Sequence, residues 1–236
     1  MAVYAISDIH GCSAEFKELL NAVSFSQYDE LYVIGDAVDR GPDPIGVLRM
    51  IMDDPRMHFL YGNHDDMFFR RIPDLIREIQ TPGYLQMDDD LFRWVHLNGG
   101  LTTMDRFLEL TLPECYDIYA FLSSRVYYKE LQAGGRKYLL CHAGTDKHCC
   151  RGVQPAEIPP EELMWSRIGL DDNPWPDRWL VTGHMPTFLY GDEYEGRIIR
   201  RDASRSLHID CGCVFGRTMG ILRLDDLQEF YVPSRN

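Results

Sequence analysis

Asp8 and His10 stand two positions apart in "SDIHG", Asp36, Asp39 and Arg40 fall within five positions in "GDAVDRGP", and Asn63, His64 and Asp65 are consecutive in "GNHD". Further along, His142 opens "HAG" and His184 lies in "GHMP". Imidazole, carboxylate and amide oxygen together suit borderline divalent ions such as Mn, Fe or Zn rather than a thiolate-seeking ion. Asp8, His10, Asp36, Asn63, His142 and His184 are more donors than one four-coordinate ion with an open position needs. A carboxylate has two oxygens and can bridge. The set therefore divides into Asp8, His10 and Asp36 for one ion, and Asp36, Asn63, His142 and His184 for a second. Two divalent ions outweigh the two ligand carboxylates, which leaves a positive centre for a phosphate dianion. Such a pair can share a hydroxide and clamp an in-line displacement at phosphorus.

Taken singly, each motif reads equally well as a turn or as a core histidine at a strand end. Their common position is what separates them from that reading. "AVYAIS" (2–7), "LYVIG" (31–35) and "MHFLYG" (57–62) are short apolar runs, and each ends directly on one of the polar groups. Between them, Phe16, Leu19, Leu20 and Val23, then Val47, Leu48 and Ile51, repeat at helical spacing. Ser13 is expected to cap the first helix, and Asp43 with Pro44 the second. This is a βαβαβ unit, which requires parallel strands and right-handed crossovers. In open α/β sheets, ligands sit beyond the carboxyl ends of such strands.

From Asp65 to Leu122 the pattern becomes helical, with breaks expected at Pro73, "TPG" (81–83) and Pro113. This region, about 65–122, reads as a helical insertion in a single domain spanning residues 1–236. Strand signals return at "RVYYKEL" and "RKYLLCH", which "AGG" (133–135) joins as a hairpin. They continue at 178–184, 196–200, 207–210, 218–224 and 229–232. His58, His96, His148 and His208 follow no strand-end rule and are expected on the surface or satisfied in the core.

The chain has 236 residues and a net charge of −13, a field that disfavours nucleic acid and anionic lipid as partners. It has no run near the roughly 20 apolar residues of a membrane span. The start "MAVYAISD" lacks the features of a signal peptide, so a cytoplasmic location is expected. The seven cysteines are odd in number and lack framework spacing, as expected of reduced thiols. "HCC" (148–150) and "CGC" (211–213) lack the second pair that a structural metal site would need.

The blocks "SDIHG", "GDAVDRGP", "GNHD", "HAG" and "GHMP" resemble, in order, those of the calcineurin-like metallophosphoesterases. "LNGG" (97–100), "MWSRIG" (164–169) and "HIDCGCVFG" (208–216) look like the phosphoprotein phosphatase family in its bacterial and phage form. The resemblance implies an α/β fold, a sandwich of two mixed β-sheets flanked by helices, with a two-metal centre on the six donors named above. It also implies that His64 is the general acid with Asp39 as its partner, and that Arg40 and Arg167 clamp phosphate. A carboxylate can orient an imidazole so that its proton reaches the leaving oxygen. A guanidinium can hold two phosphate oxygens at once. The expected activity is hydrolysis of phosphomonoesters, foremost phosphoserine or phosphothreonine in proteins, with a hydroxide shared between the ions attacking directly.

The pattern also departs from that family. Tyr61 and Asp65 stand where an arginine and a glutamate usually flank "GNH". "GNHD" and the tail "DCGCVFGRTMGILRL" are similar to the symmetrical diadenosine tetraphosphatases of the same family. The alternative expectation is therefore a dinucleoside polyphosphate hydrolase with the same metals. Tyr61 could face a nucleoside in that case, although a core position suits it better.

Overall fold

A computed structural model describes residues 1–146 and 152–235. His148 and the "HCC" segment lie outside the described residues. Ten strands form two five-stranded mixed sheets. In the first sheet the order is β10 (Gln228–Pro233), β9 (Thr218–Arg223), β1 (Val3–Ile6), β2 (Glu30–Ile34), β3 (Met57–Leu60). Strands β1, β2 and β3 run parallel, as the βαβαβ spacing requires, and β9 returns antiparallel to β1. In the second sheet the order is β4 (Tyr128–Ala133), β5 (Arg136–Cys141), β6 (Trp179–Thr182), β8 (Ser206–His208), β7 (Ile199–Arg201). Here β5, β6 and β8 are parallel, and Gly134 and Gly135 turn the β4–β5 hairpin.

The central strands β1, β2, β5 and β6 are largely apolar on both faces because each sheet is covered there on both sides, whereas β4 and β10 keep exposed polar residues. Successive side chains alternate between faces. Ala5, Tyr32, Ile34 and Leu60 point between the sheets, where they meet Tyr138, Leu140, Val181 and Leu207. Their neighbours Tyr4, Ile6, Leu31 and Val33 face outward and pack on helices α1 (Ser13–Ala22), α2 (Pro44–Asp53) and α3 (Asn63–Gln80). On the far side of the second sheet, Leu139, Cys141 and Leu180 pack on Leu163 of α7 (Pro160–Trp165) and on Trp175. Between β3 and β4 lie only helical elements: α3, α4 (Asp89–Phe92) running into a wider turn at Arg93–Leu97, α5 (Leu101–Leu108) and α6 (Leu112–Leu122).

Two local expectations fail. Pro73 does not split its segment, and α3 runs through it for 18 residues. Proline removes one backbone donor, but Phe68, Phe69, Ile72, Leu75 and Ile76 are buried along one side and hold the helix to the core. Ser13 does not cap α1. Its hydroxyl donates instead to Asp43 Oδ2 at 2.5 Å, while Asp43 Oδ1 accepts the Gly46 N–H at 3.0 Å and caps α2 as expected.

Of the isolated histidines, His96 is exposed, and His58 stacks on Tyr32 with ring centroids 4.7 Å apart. His208 is buried, with its ring nitrogens at Thr182 Oγ1 and the Leu170 carbonyl. Tyr61 is fully buried and its hydroxyl donates to the Leu122 carbonyl, so it is a core residue.

Candidate metal centre

The parallel strands of both sheets end at one place. Asp8 and His10 follow β1, Asp36 follows β2, and Asn63 and His64 open α3 just after β3. From the second sheet, His142 follows β5 and His184 follows β6. Reaching a common point demands sharp backbone turns. Among the described residues ten non-glycine residues have positive φ, and six of them are Asp8, His10, Asp36, Asp39, Arg40 and His184. Such conformations cost on the order of 1–3 kcal/mol each and concentrate at functional sites.

The crowding also dictates glycine at two positions. A Cβ on Gly62 would lie 2.1 Å from Asp36 Oδ1, and one on Gly35 would lie 2.6 Å from both Gly62 Cα and His142 Nδ1.

Asp36 lies at the centre. Its Oδ2 is 3.4 Å from His142 Nε2, 3.6 Å from His10 Nε2 and 3.9 Å from His64 Nε2. Asn63 Oδ1 is 3.0 Å from both His142 Nε2 and His184 Nδ1. The His184 amide donates to Asp8 Oδ2 at 3.0 Å. Among the described residues two groups of donors could hold a metal ion: His10, Asp36 and His64, and Asp36, His142 and His184. Asp36 is common to both groups. The first group contains His64 where the sequence suggested Asp8. Asp8 is nevertheless a buried neighbour of Asp36, through its contact with His184.

The donor chemistry fits divalent cations. His10 Nδ1 lies 2.7 Å from the Val38 carbonyl and His142 Nδ1 lies 3.0 Å from the Ile34 carbonyl. Each therefore donates Nδ1–H to the backbone and aims Nε2 inward, the orientation that metal-ligating imidazoles adopt. Every inward atom is nitrogen or oxygen.

The electrostatics agree. Burial raises Asp8 to about 6, and Asp36 adds to that rise. Burial opposes charge on His142, but Asp36 and Asp8 outweigh it and lift that imidazole to about 10. His184 is pushed down to about 3 by burial and then by His142. Burial, with Arg40 and His64 nearby, also holds His10 well below the ordinary imidazole value. Two buried carboxylates among imidazoles thus pull positive charge towards their midpoint.

The expected acid pair is formed, with His64 Nδ1 2.7 Å from Asp39 Oδ2. Arg40 extends over the site, with Nη1 2.6 Å from His10 Nε2 and Nη2 2.8 Å from His64 Nε2. Arg167 is exposed and lines, with Arg40, a cavity of about 350 Å³ above Asp36, Asn63 and His64. Of the ten expected residues, Asp36, Arg40, Asn63, His64, Arg167 and His184 line this cavity, and Asp8, His10, Asp39 and His142 are buried beside them.

Trp94 and Thr103 were not foreseen, nor was the part Asp65 takes. Trp94 Nε1 donates to Asp39 Oδ2 at 2.9 Å, and Thr103 Oγ1 donates to Asp39 Oδ1 at 2.7 Å. Asp65 accepts the N–H groups of Asp36, Ala37 and Gly62, and so ties the turn after β2 to the start of α3. A carboxylate in a first helical turn was a usable signal for Asp65. Trp94 and Thr103 gave none, since they sit in amphipathic helical sequence where core packing explains them as well. Cys211 and Cys213 are buried, and among the described residues no cysteine joins either donor group.

Known proteins are similar to this chain along nearly its whole length. A symmetrical bis(5'-nucleosyl)-tetraphosphatase of Nitrosospira multiformis is 47% identical, covering 98% of this chain and 95% of its own. One from Acidovorax sp. is 46% identical, covering 98% and 96%. A crystal structure of a candidate diadenosine tetraphosphatase superposes with a TM-score of 0.63 at 20% identity, over 99% of this chain and 94% of that one, a likeness of fold. The family model for calcineurin-like phosphoesterases matches residues 1–216. That span runs from the first strand past the last of the ten converging side chains, and the chain belongs to the calcineurin-like phosphoesterase family.

Proposed function

We propose that this phosphoesterase hydrolyses dinucleoside polyphosphates, with diadenosine tetraphosphate as the type substrate, and that the symmetrical cut yields two molecules of ADP. The carrying observation is identity of 47% over nearly the whole of both chains to a protein named for that activity. The buried Tyr61 supports it, because the position that carries a phosphate-binding arginine in the protein phosphatases here ends on the Leu122 carbonyl.

Asp8, His10 and Asp36 would hold one divalent ion, and Asp36, Asn63, His142 and His184 the other, with Mn, Fe or Zn suited to the donors. The ions would supply an acidified water and charge neutralisation at phosphate oxygens. Arg40 and Arg167 flank the cavity and hold non-bridging oxygens, whose charge grows as the bond breaks. A phosphate in the cavity draws Arg40 away from the two imidazole nitrogens it touches. One oxygen from water joins phosphorus, one bridging P–O bond breaks, and the His64 proton goes to the leaving phosphate oxygen. Asp39 keeps the imidazole aligned for that transfer.

The retained Asp39 and Arg167 favour a second reading, a phosphatase acting on phosphoserine or phosphothreonine in proteins. Manganese-loaded protein assayed side by side on diadenosine tetraphosphate and a phosphoserine peptide separates the two. Faster turnover of the dinucleotide, with ADP as sole product, is expected. A peptide turned over tenfold faster would reverse the assignment. A cytoplasmic setting accords with the buried thiols Cys115, Cys141, Cys211 and Cys213. No helix among the described residues is long and apolar enough to cross a membrane.

A further inference from the structure

Two large aromatic side chains remain exposed at the cavity wall. Trp165 is 44% exposed and Phe215 is 43% exposed, and both line the cavity. Aromatic rings of this size are usually well buried, so two left open beside a phosphate-sized charge cluster call for a ligand.

Each ring belongs to a different half of the site. Trp165 ends α7, lies edge-on to His184 at 6.4 Å, and precedes Arg167 by two residues. Phe215 sits in the turn Cys213–Phe215, with the Arg40 guanidinium 5.3 Å from its ring centroid. That guanidinium reaches His10 and His64. One aromatic and one arginine are therefore tied to His184 and its donor group, and a second aromatic and arginine to the other group, with Asp36 common to both. Phe188 backs Phe215 edge-on at 5.8 Å and holds its ring in place.

We propose that Trp165 and Phe215 are specificity-determining residues, each the stacking platform for one nucleobase of a dinucleoside polyphosphate whose phosphate chain crosses the site between Arg167 and Arg40. This deepens the substrate reading above and rests on it. The ligand has the same layout as the wall: a planar ring, an anionic centre, a planar ring. Base stacking on an aromatic side chain is sequence-tolerant and strong enough to set affinity.

The test uses full-length, manganese-loaded protein and the variants Trp165→Ala, Phe215→Ala, Trp165→Phe and Phe215→Tyr. The readout is the ratio of kcat/KM for diadenosine tetraphosphate to that for p-nitrophenyl phosphate, which has no base. Each alanine variant should lower the ratio about tenfold, mainly through KM. The aromatic replacements should restore most of it. Titrating the native protein with ADP should also quench tryptophan fluorescence, and Trp165→Phe should lose that quench, a readout that needs no alanine variant to fold. Ratios within twofold of native in both alanine variants, or an undiminished quench in Trp165→Phe, would overturn the assignment of the platforms. Native protein that cleaves p-nitrophenyl phosphate but not diadenosine tetraphosphate would instead overturn the substrate reading on which it rests.

Discussion

Asp39 and His64 meet through a 2.7 Å contact between a carboxylate oxygen and Nδ1, and the carboxylate is itself fixed by Trp94 and Thr103. That contact therefore stands on the helical region between the third and fourth strands, which supplies Trp94 and Thr103. Asp39→Asn should lower kcat by roughly 10²-fold for phenyl phosphate and far less for p-nitrophenyl phosphate, whose leaving group needs less help from a proton. Thr103→Val should act in the same direction by a few fold, because it removes one of three supports. Equal losses on both esters would contradict a proton-transfer role.

Asp36 faces three imidazoles, so it is expected to be required by both ions. Native protein reconstituted with manganese should carry about two ions per chain by elemental analysis, and Asp36→Asn fewer than one. His64→Asn should keep the native metal content while losing turnover on poor leaving groups. Loss of metal in His64→Asn would move that imidazole from the acid role into the ligand set, in keeping with its 3.9 Å approach to Asp36.

How much of this was readable beforehand depends on the kind of signal. The strands that carry the site were visible because β1, β2, β3, β5 and β6 are short apolar runs, and the donors were visible because they follow those runs directly. Tyr61 also reads correctly as core, since it ends the third run. Pro73 misled because propensity is local, while the buried face from Phe68 to Ile76 is a tertiary effect. Ser13 misled because a neighbouring carboxylate, Asp43, was the better partner for its hydroxyl. Trp94 and Thr103 stayed hidden because their roles are set by an Asp39 that lies 55 and 64 residues away.

Gly62 has no room for a side chain. A Cβ there would lie 2.5 Å from the Asp36 amide nitrogen as well as on its carboxylate. Gly62→Ala should push Asp36 out of place, lowering stability by about 1–3 kcal/mol and metal content together. Chemical denaturation and elemental analysis of the same preparation check this. Native metal content at native stability would show that the turn can yield.

Far from the cavity, Asp29 accepts the Ala2 N–H at 2.7 Å, the Ser26 N–H at 2.9 Å and the Ser26 hydroxyl at 2.7 Å. Burial works against its charge, but these bonds hold its carboxyl below the ordinary value. A group lowered in the folded state contributes stability that is present above its unfolded value, near 3.9, and is lost as pH falls through the folded value. Asp29→Ala should cost about 1–2 kcal/mol at pH 7. The gap to native, read from urea midpoints, should narrow below about pH 4. A gap constant from pH 7 to acid would rule out the ionised carboxylate as its source.

The bond from the His184 amide to Asp8 joins residues 176 positions apart. During translation, the turns bearing Asp8, His10, Asp36 and Asn63 emerge first, His142 follows β5, and His184 comes only after β6. A product that terminates before Thr182 would lack His184 and its bond to Asp8, and with them one wall of the candidate site.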